Sequence, residues 1–205
     1  HYEMLDKRTK NSLEYIKKRI INFHKAIKIN DLRFSDEIFN LLGQIHKPIE
    51  RIGLYAPGGK AVYPSSILMT ALVARVAGCN EVSLFFPSSS EEAKKLMLAT
   101  AHVSEINHAY NFGGAQAIAA MAYGTETITK SDKIFGPGNV FVSEAKRQVF
   151  GDVGIDSFAG PSEVLIISDK QQNFAGLVSD LIAQAEHGED SKCCLLYTSD
   201  AADES

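Results

Sequence analysis

Apolar positions follow two rhythms along this chain. From Tyr2 to Lys28 they recur at helical spacing, at Leu13, Ile16, Ile20, Ile21, Phe23 and Ile27, with Lys and Arg between them, which predicts an amphipathic helix. Asn30 to Ser35 breaks that pattern. Phe39 to Ile49 alternates loosely and reads as a strand up to Pro48, where pairing is limited. From Arg51 onward, short apolar runs alternate with helical ones. Arg51–Tyr55 reads as a strand. A helix starts at Pro64-Ser65-Ser66, carries Ile67, Leu68, Ala71, Leu72 and Ala74, and stops at Gly78. Glu81–Phe86 is the next strand, and Ser88-Ser89-Ser90 ahead of Glu91 and Glu92 predicts a capping box for the helix after it. A short strand at Ala109–Phe112, a helix at Ala115–Tyr123, a strand at Lys133–Phe135 and a helix at Val140–Phe150 follow. This repeated strand–helix alternation predicts an α/β fold with mostly parallel sheets flanked by helices.

The last third adds another such unit. Val164–Ile167 is short, β-branched and bounded by turn residues, as a strand covered on both faces would be. Residues 169–173 supply candidate N-caps. Leu177, Val178, Leu181, Ile182 and Ala185 make one apolar helical face. Gln184 and His187 sit one helical turn apart and lie together on the helix surface, and Gly188 can end the helix. An imidazole beside an amide oxygen can hold a metal or a polar substrate. By themselves the two read first as a solvated helix end, with a His near the negative pole of the dipole, because a zinc site normally shows more N or S ligands.

Three glycine turns fall at strand-to-helix junctions: Pro57-Gly58-Gly59, Gly113-Gly114 and Gly136-Pro137-Gly138. In a parallel sheet such junctions gather at one edge, where ligands bind, and unpaired helix N–H groups there favour phosphates. Taken singly, each reads as a tight turn. Together they point to a cofactor crevice. None carries the G-x-G-x-x-G spacing, so a standard dinucleotide fingerprint is absent.

Composition narrows the class. With 205 residues, 45% hydrophobic and 22% charged, the chain has the make-up of a globular protein with a real core. Its net charge of −4 gives no general affinity for polyanions, and the basic face of the first helix has no aromatic interleaving, so nucleic acid is not an expected partner. No run is long enough to span a membrane. Cys79, Cys193 and Cys194 form no metal spacing and argue for a reducing, cytoplasmic setting over a disulfide scaffold. The closing residues 194–205 resemble translated library adapter and are expected to lie outside the native fold.

The wording of the motifs goes further. Gly53-Leu54-Tyr55-Ala56-Pro57-Gly58-Gly59, Gly113-Gly114-Ala115-Gln116-Ala117-Ile118-Ala119, Lys133-Ile134-Phe135-Gly136-Pro137-Gly138-Asn139, Glu144-Ala145-Lys146-Arg147, Ala159-Gly160-Pro161-Ser162-Glu163 and Gln184-Ala185-Glu186-His187 occur in order. Together they resemble histidinol dehydrogenase, the zinc enzyme at the end of histidine biosynthesis. The resemblance covers about Gln44 to Cys193. It implies incomplete Rossmann-like domains of the kind shared with aldehyde dehydrogenases: 1–54 as the start of a zinc and substrate domain, 55–161 as an inserted NAD domain, and 162–193 as the return to the first. It implies NAD contacts from Tyr55, Gln116 and Asn139, substrate contacts from Ser162, Gln184 and His187, and Zn2+ ligation by Gln184 and His187. The implied reaction is oxidation of L-histidinol to L-histidine through the aldehyde by a homodimer. The family's catalytic Glu-His pair has no counterpart here, since no Gly-Pro-Glu-His segment appears, and this chain by itself is expected to turn over little substrate. The segment from Phe86 to Asn107 and the loop from Phe150 to Gly154 look shorter than the family's. Two other readings stay open: an NAD-linked enzyme for another alcohol on the same scaffold, and a non-catalytic chain that binds nucleotide or self-associates.

Overall fold

The computed structural model describes residues 1–58, 62–158, 163–168, 174–186 and 191–197. The chain forms two units, His1–Phe158 and Ala159–Ser205. In the first, a 3-10 turn at Tyr2–Met4 leads into helix α1 (Lys7–Ala26). Asp6 caps α1: its carboxylate accepts the Thr9 N–H at 3.0 Å and the Thr9 hydroxyl at 2.6 Å. The predicted apolar stripe docks the helix through Leu13, with Ile20 and Ile21 partly buried behind it, against Leu68, Leu72 and Val103.

Strands β1 (Leu32–Ser35) and β2 (Leu41–Gln44) then pair as an antiparallel hairpin. The sequence reading placed a break at Asn30–Ser35 and one strand from Phe39 to Pro48. Every residue of both strands is exposed. With no buried face, neither strand carries the alternation by which a half-buried strand is recognised.

The main sheet follows. Strand β3 (Arg51–Tyr55), helix α2 (Pro64–Ala77), strand β4 (Glu81–Phe85), helix α3 (Glu91–Val103) and strand β5 (His108–Tyr110) run outward from the centre. Helix α4 (Ala115–Tyr123) carries the chain back to strand β6 (Lys133–Phe135) on the other side of β3, and helix α5 (Val140–Val149) leads to the edge strand β7 (Gly154–Ile155). The strand order is β5-β4-β3-β6-β7, parallel throughout. That is the order of the first five strands of the doubly wound nucleotide-binding sheet, with β3 first. The α/β class with a parallel sheet flanked by helices is therefore what forms.

Two apolar layers cover the sheet. Ile52, Leu54, Val82 and Leu84 pack against Ile67, Ala71 and Met97 on one side. Phe85 and Ile134 pack against Ile118, Met121, Val142 and Val149 on the other. Pro64 occupies the first turn of α2 and Gly78 ends it. At α3 the capping box is only half made. Ser90 accepts the Ala93 N–H at 3.1 Å, but the third helical position is Ala93, not a Glu, so no side chain returns to the cap.

The second unit has strand β8 (Glu163–Ser168), helix α6 (Phe174–Ala185) and strand β9 (Lys192–Tyr197), with β8 and β9 parallel and in register from Glu163↔Lys192 to Ser168↔Tyr197. β8 is not covered on both faces. Val164 and Ile166 are half-buried, while Leu165 and Ile167 are exposed, because one helix can shield only one side of two strands. The residues 194–197, expected to lie outside the fold, form most of β9. Among the described residues no helix is long and apolar enough to cross a membrane.

Ile134, fully buried in the layer against α4 and α5, gives a direct test of this packing. Ile134→Ala should lower unfolding free energy by about 2–5 kcal/mol, read from urea denaturation followed by circular dichroism.

Candidate functional site

The chain reverses its walk across the sheet between β3 and β6. Ligands in open α/β sheets bind at the carboxyl ends of the strands beside such a reversal. Tyr55 is the last residue of β3 and Gly136 the first after β6, so both stand at that place.

Tyr55 joins two of the three glycine turns. Its ring is buried in the core of the α4–α5 side, and its hydroxyl accepts the Gly114 N–H at 3.1 Å. Its carbonyl lies against Gly136, where an added Cβ would meet the oxygen at 1.9 Å. Gly136 has φ +120, so a side chain there is excluded by its own backbone as well as by its neighbour. The turns after β4 and β5 are tied in turn. Ser88 Oγ donates to Asn111 Oδ1 at 2.9 Å, and a Cβ on Gly58 would meet the Pro87 carbonyl at 2.1 Å. Backbone thus approaches backbone all along this edge.

Gln116 and Asn139 stand on the same edge. Gln116 is exposed on the first turn of α4 and folds back over Gly114, with Oε1 at 2.8 Å from where a Cβ would sit. Asn139 is the N-cap of α5. The residue is exposed and its Oδ1 accepts the Val142 N–H at 3.1 Å, so the cap bond does not use the Nδ2 donor. The structure therefore gathers Tyr55, Gln116 and Asn139 around the turns that follow β5 and β6. This edge suits a dinucleotide: helix N-termini for phosphate, amide side chains for ribose or pyrophosphate oxygens, and glycines where backbone must come close.

Behind the Gly136 turn lies a pair to which sequence reading assigned no role. Lys146 is on the buried stripe of α5 with Val142 and Val149. Its ammonium donates to the Gly136 carbonyl at 3.1 Å and to the Asp156 carboxylate. The other Asp156 oxygen accepts the Gly136 N–H at 2.8 Å, and Oδ1 also accepts the Ser157 N–H at 2.7 Å. Desolvation alone pushes the Asp156 carboxyl up. The bonds from Lys146, Gly136 and Ser157, with the Lys146 charge, more than reverse that and hold it below the usual carboxylate range. The signal was present in the sequence: a lysine at i+4 and i−3 from two core valines must be buried, and a buried lysine needs an anion.

Gln184, in the second unit, is half-buried in line with Leu177 and Leu181. It belongs to the inward stripe of α6, not to a solvated end. The expected apolar face is rotated accordingly, since Val178 and Ile182 lie on the exposed side. Ser162 and His187 lie outside the described residues, as do Gly188 and the candidate N-caps at 169–173. Among the described residues no three His, Cys, Asp or Glu come together as a metal site. A broad concavity of about 780 Å³, lined by His24, Asp31, His46, Pro48 and Gly78 among others, opens at the amino-terminal edge of β3 and β4. It shares no residue with the carboxyl edge and lies at the wrong end of the strands for a nucleotide.

Two outcomes test this geometry. Gly136→Ala should cost about 2–4 kcal/mol of stability, from backbone strain and the clash with the Tyr55 carbonyl, measured as a drop in unfolding midpoint. Because the Asp156 carboxyl is depressed in the fold, its stabilisation is present above the unfolded-chain value of about 4 and fades as pH falls through the lower folded value. Thermal midpoints of wild type and Asp156→Asn should therefore differ at neutral pH and converge in acid.

The family model described as histidinol dehydrogenase matches residues 1–205. Histidinol dehydrogenase from Neisseria gonorrhoeae is 45% identical over 200 residues, covering 98% of this chain and 47% of the relative. That from Gluconobacter oxydans is 49% identical over 192 residues, covering 94% and 44%. The crystal structure of histidinol dehydrogenase from Elizabethkingia anophelis superposes with a TM-score of 0.88 at 39% identity, over 97% of this chain and 46% of that one. The chain spans about half the length of the relatives it matches. With the match running from first residue to last and the fold agreeing, this chain belongs to the histidinol dehydrogenase family.

Proposed function

We propose that the full-length protein containing this chain oxidises L-histidinol to L-histidine through L-histidinaldehyde, with two molecules of NAD accepting hydride, in histidine biosynthesis. The observation that carries the reading is the joint at Tyr55, in a chain of this family: one residue ties the Gly114 turn by its hydroxyl and bears on the Gly136 turn by its carbonyl, at the reversal of strand order.

Each residue has a task in this reading. Tyr55 holds the floor of the crevice and sets the two turns relative to each other. Gln116 and Asn139 donate and accept hydrogen bonds at its rim. The first turn of α5 offers unpaired N–H groups to phosphate. NAD, when bound, supplies the acceptor for the hydride that leaves the alcohol carbon and then the hydrated aldehyde. Holding the reacting carbon beside that acceptor is the service the protein performs. Each oxidation also releases a proton that a base must take.

Ser162, Gln184 and His187 are the proposed substrate contacts, and Zn2+ enters the proposal through Gln184 and His187. The described residues do not make a zinc site by themselves. Association as a homodimer belongs to the same proposal.

Full-length protein mixed with L-histidinol and NAD should raise NADH absorbance, with two NADH formed per histidinol consumed. No NADH from histidinol, with NADH formed from a different alcohol, would refute the substrate assignment. Tyr55→Phe should raise the KM for NAD about fivefold, the equivalent of one hydrogen bond of about 1 kcal/mol.

A further inference from the structure

We propose that Lys146 and Asp156 are positioning residues: an ion pair with its lysine buried that sets the shape of the Gly136–Asn139 turn, and through it the affinity for a nicotinamide dinucleotide neither of them touches. The inference rests on the cofactor reading above.

The convergence of the bonds carries it. The Lys146 side chain is 4% exposed and that of Asp156 28%. Removing such charges from water is costly, and an apolar residue at position 146 would continue the stripe of Val142 and Val149 at no such cost. The pair nevertheless directs bonds from both partners at one residue. Gly136 gives its N–H to Asp156 and receives the Lys146 ammonium on its carbonyl. Pro137 follows and has no N–H to give, so the base of the turn is anchored through Gly136 alone. Gly138 closes the other side, where a Cβ would strike the Val142 side chain at 2.3 Å. Asp156 is itself delivered by the sheet, since its N–H donates to the Ile134 carbonyl at 3.1 Å at the end of β6. The pair thus bridges the end of β7, the end of β6 and the middle of α5, and holds Gly136 where it lies on the Tyr55 carbonyl.

A pair with stability as its only task would serve equally well elsewhere. Arg51 and Asp132 supply that comparison, 3.0 Å apart at the opposite, amino-terminal edge of β3 and β6 and both partly exposed to solvent. They join β3 to β6 and bear on no turn of the carboxyl edge.

The test uses full-length protein with NAD as the probe. Lys146→Met combined with Asp156→Asn removes both charges together and avoids stranding one in the core, so the double variant keeps its fold. Calorimetric titration should show NAD bound at least tenfold more weakly than by wild type. Hydrogen exchange of the peptide spanning residues 134–141 should become at least tenfold faster. Arg51→Met with Asp132→Asn should lower the thermal midpoint yet leave NAD affinity and exchange at 134–141 unchanged. Unaltered NAD affinity in the Lys146/Asp156 variant, or unaltered exchange of that peptide, overturns the proposal. So does an equal loss of affinity in the Arg51/Asp132 variant. Failure of wild type itself to bind NAD is a different result: it removes the cofactor reading and this inference with it.

Discussion

Beside the reversal of strand order in this sheet, two backbones pass close to each other. Here that closeness is the contact between Gly136 and the Tyr55 carbonyl, with room for a hydrogen and nothing larger. The rest of the carboxyl edge is arranged around that limit. Tyr55 cannot shift without disturbing Gly114 through its hydroxyl, and Gly136 cannot shift without disturbing α5 through Asn139 and Gly138. The parts of this edge share residues, an arrangement that favours pre-organised binding over adjustment on contact.

The electrostatics follow the same economy. Surface pairs such as Glu144 with Arg147 lie along one exposed face of α5 and cost little to make or break. One residue away in sequence, Lys146 faces inward and engages the turn. A single helical segment therefore separates solvated charge from structural charge by a rotation of about 100° per residue. The same four-residue motif that marks the family holds both kinds.

How much could be read from sequence depended on what bounded each element. Helix α4 and strand β6 were legible to the residue, because Gly113-Gly114 and Gly136-Pro137 punctuate them. Helix α2 was legible from Pro64 and Gly78. Strand β1 was missed because its residues face water on both sides and show no period. The face of α6 was misjudged because Val178 and Ile182 are apolar yet exposed, while Gln184 is polar and half-buried. At the edge itself, the glycine turns and the three residues around them were visible as a pattern. The burial of Lys146 shows in its spacing from Val142 and Val149, but its partner Asp156 does not show, since it comes from a separate element and only the folded sheet brings the two together.

The hairpin of β1 and β2 presents Leu32, Phe34, Leu41 and Leu42 to water with no helix laid over them. Two strands without a third, or without a cover, are marginal in water. Their order is carried instead by the bend between them, where one carboxylate, Asp36, gathers the N–H groups of Ile38 and Asn40 and the Asn40 side-chain amide. Phe39, at the tip of that bend, takes a left-handed backbone with its ring almost wholly in solvent. Asp31 does the same at the open end, where its carboxylate accepts the His46 N–H at 2.9 Å, so a ribbon with no buried face is pinned at both ends by carboxylates, like a strap buckled twice.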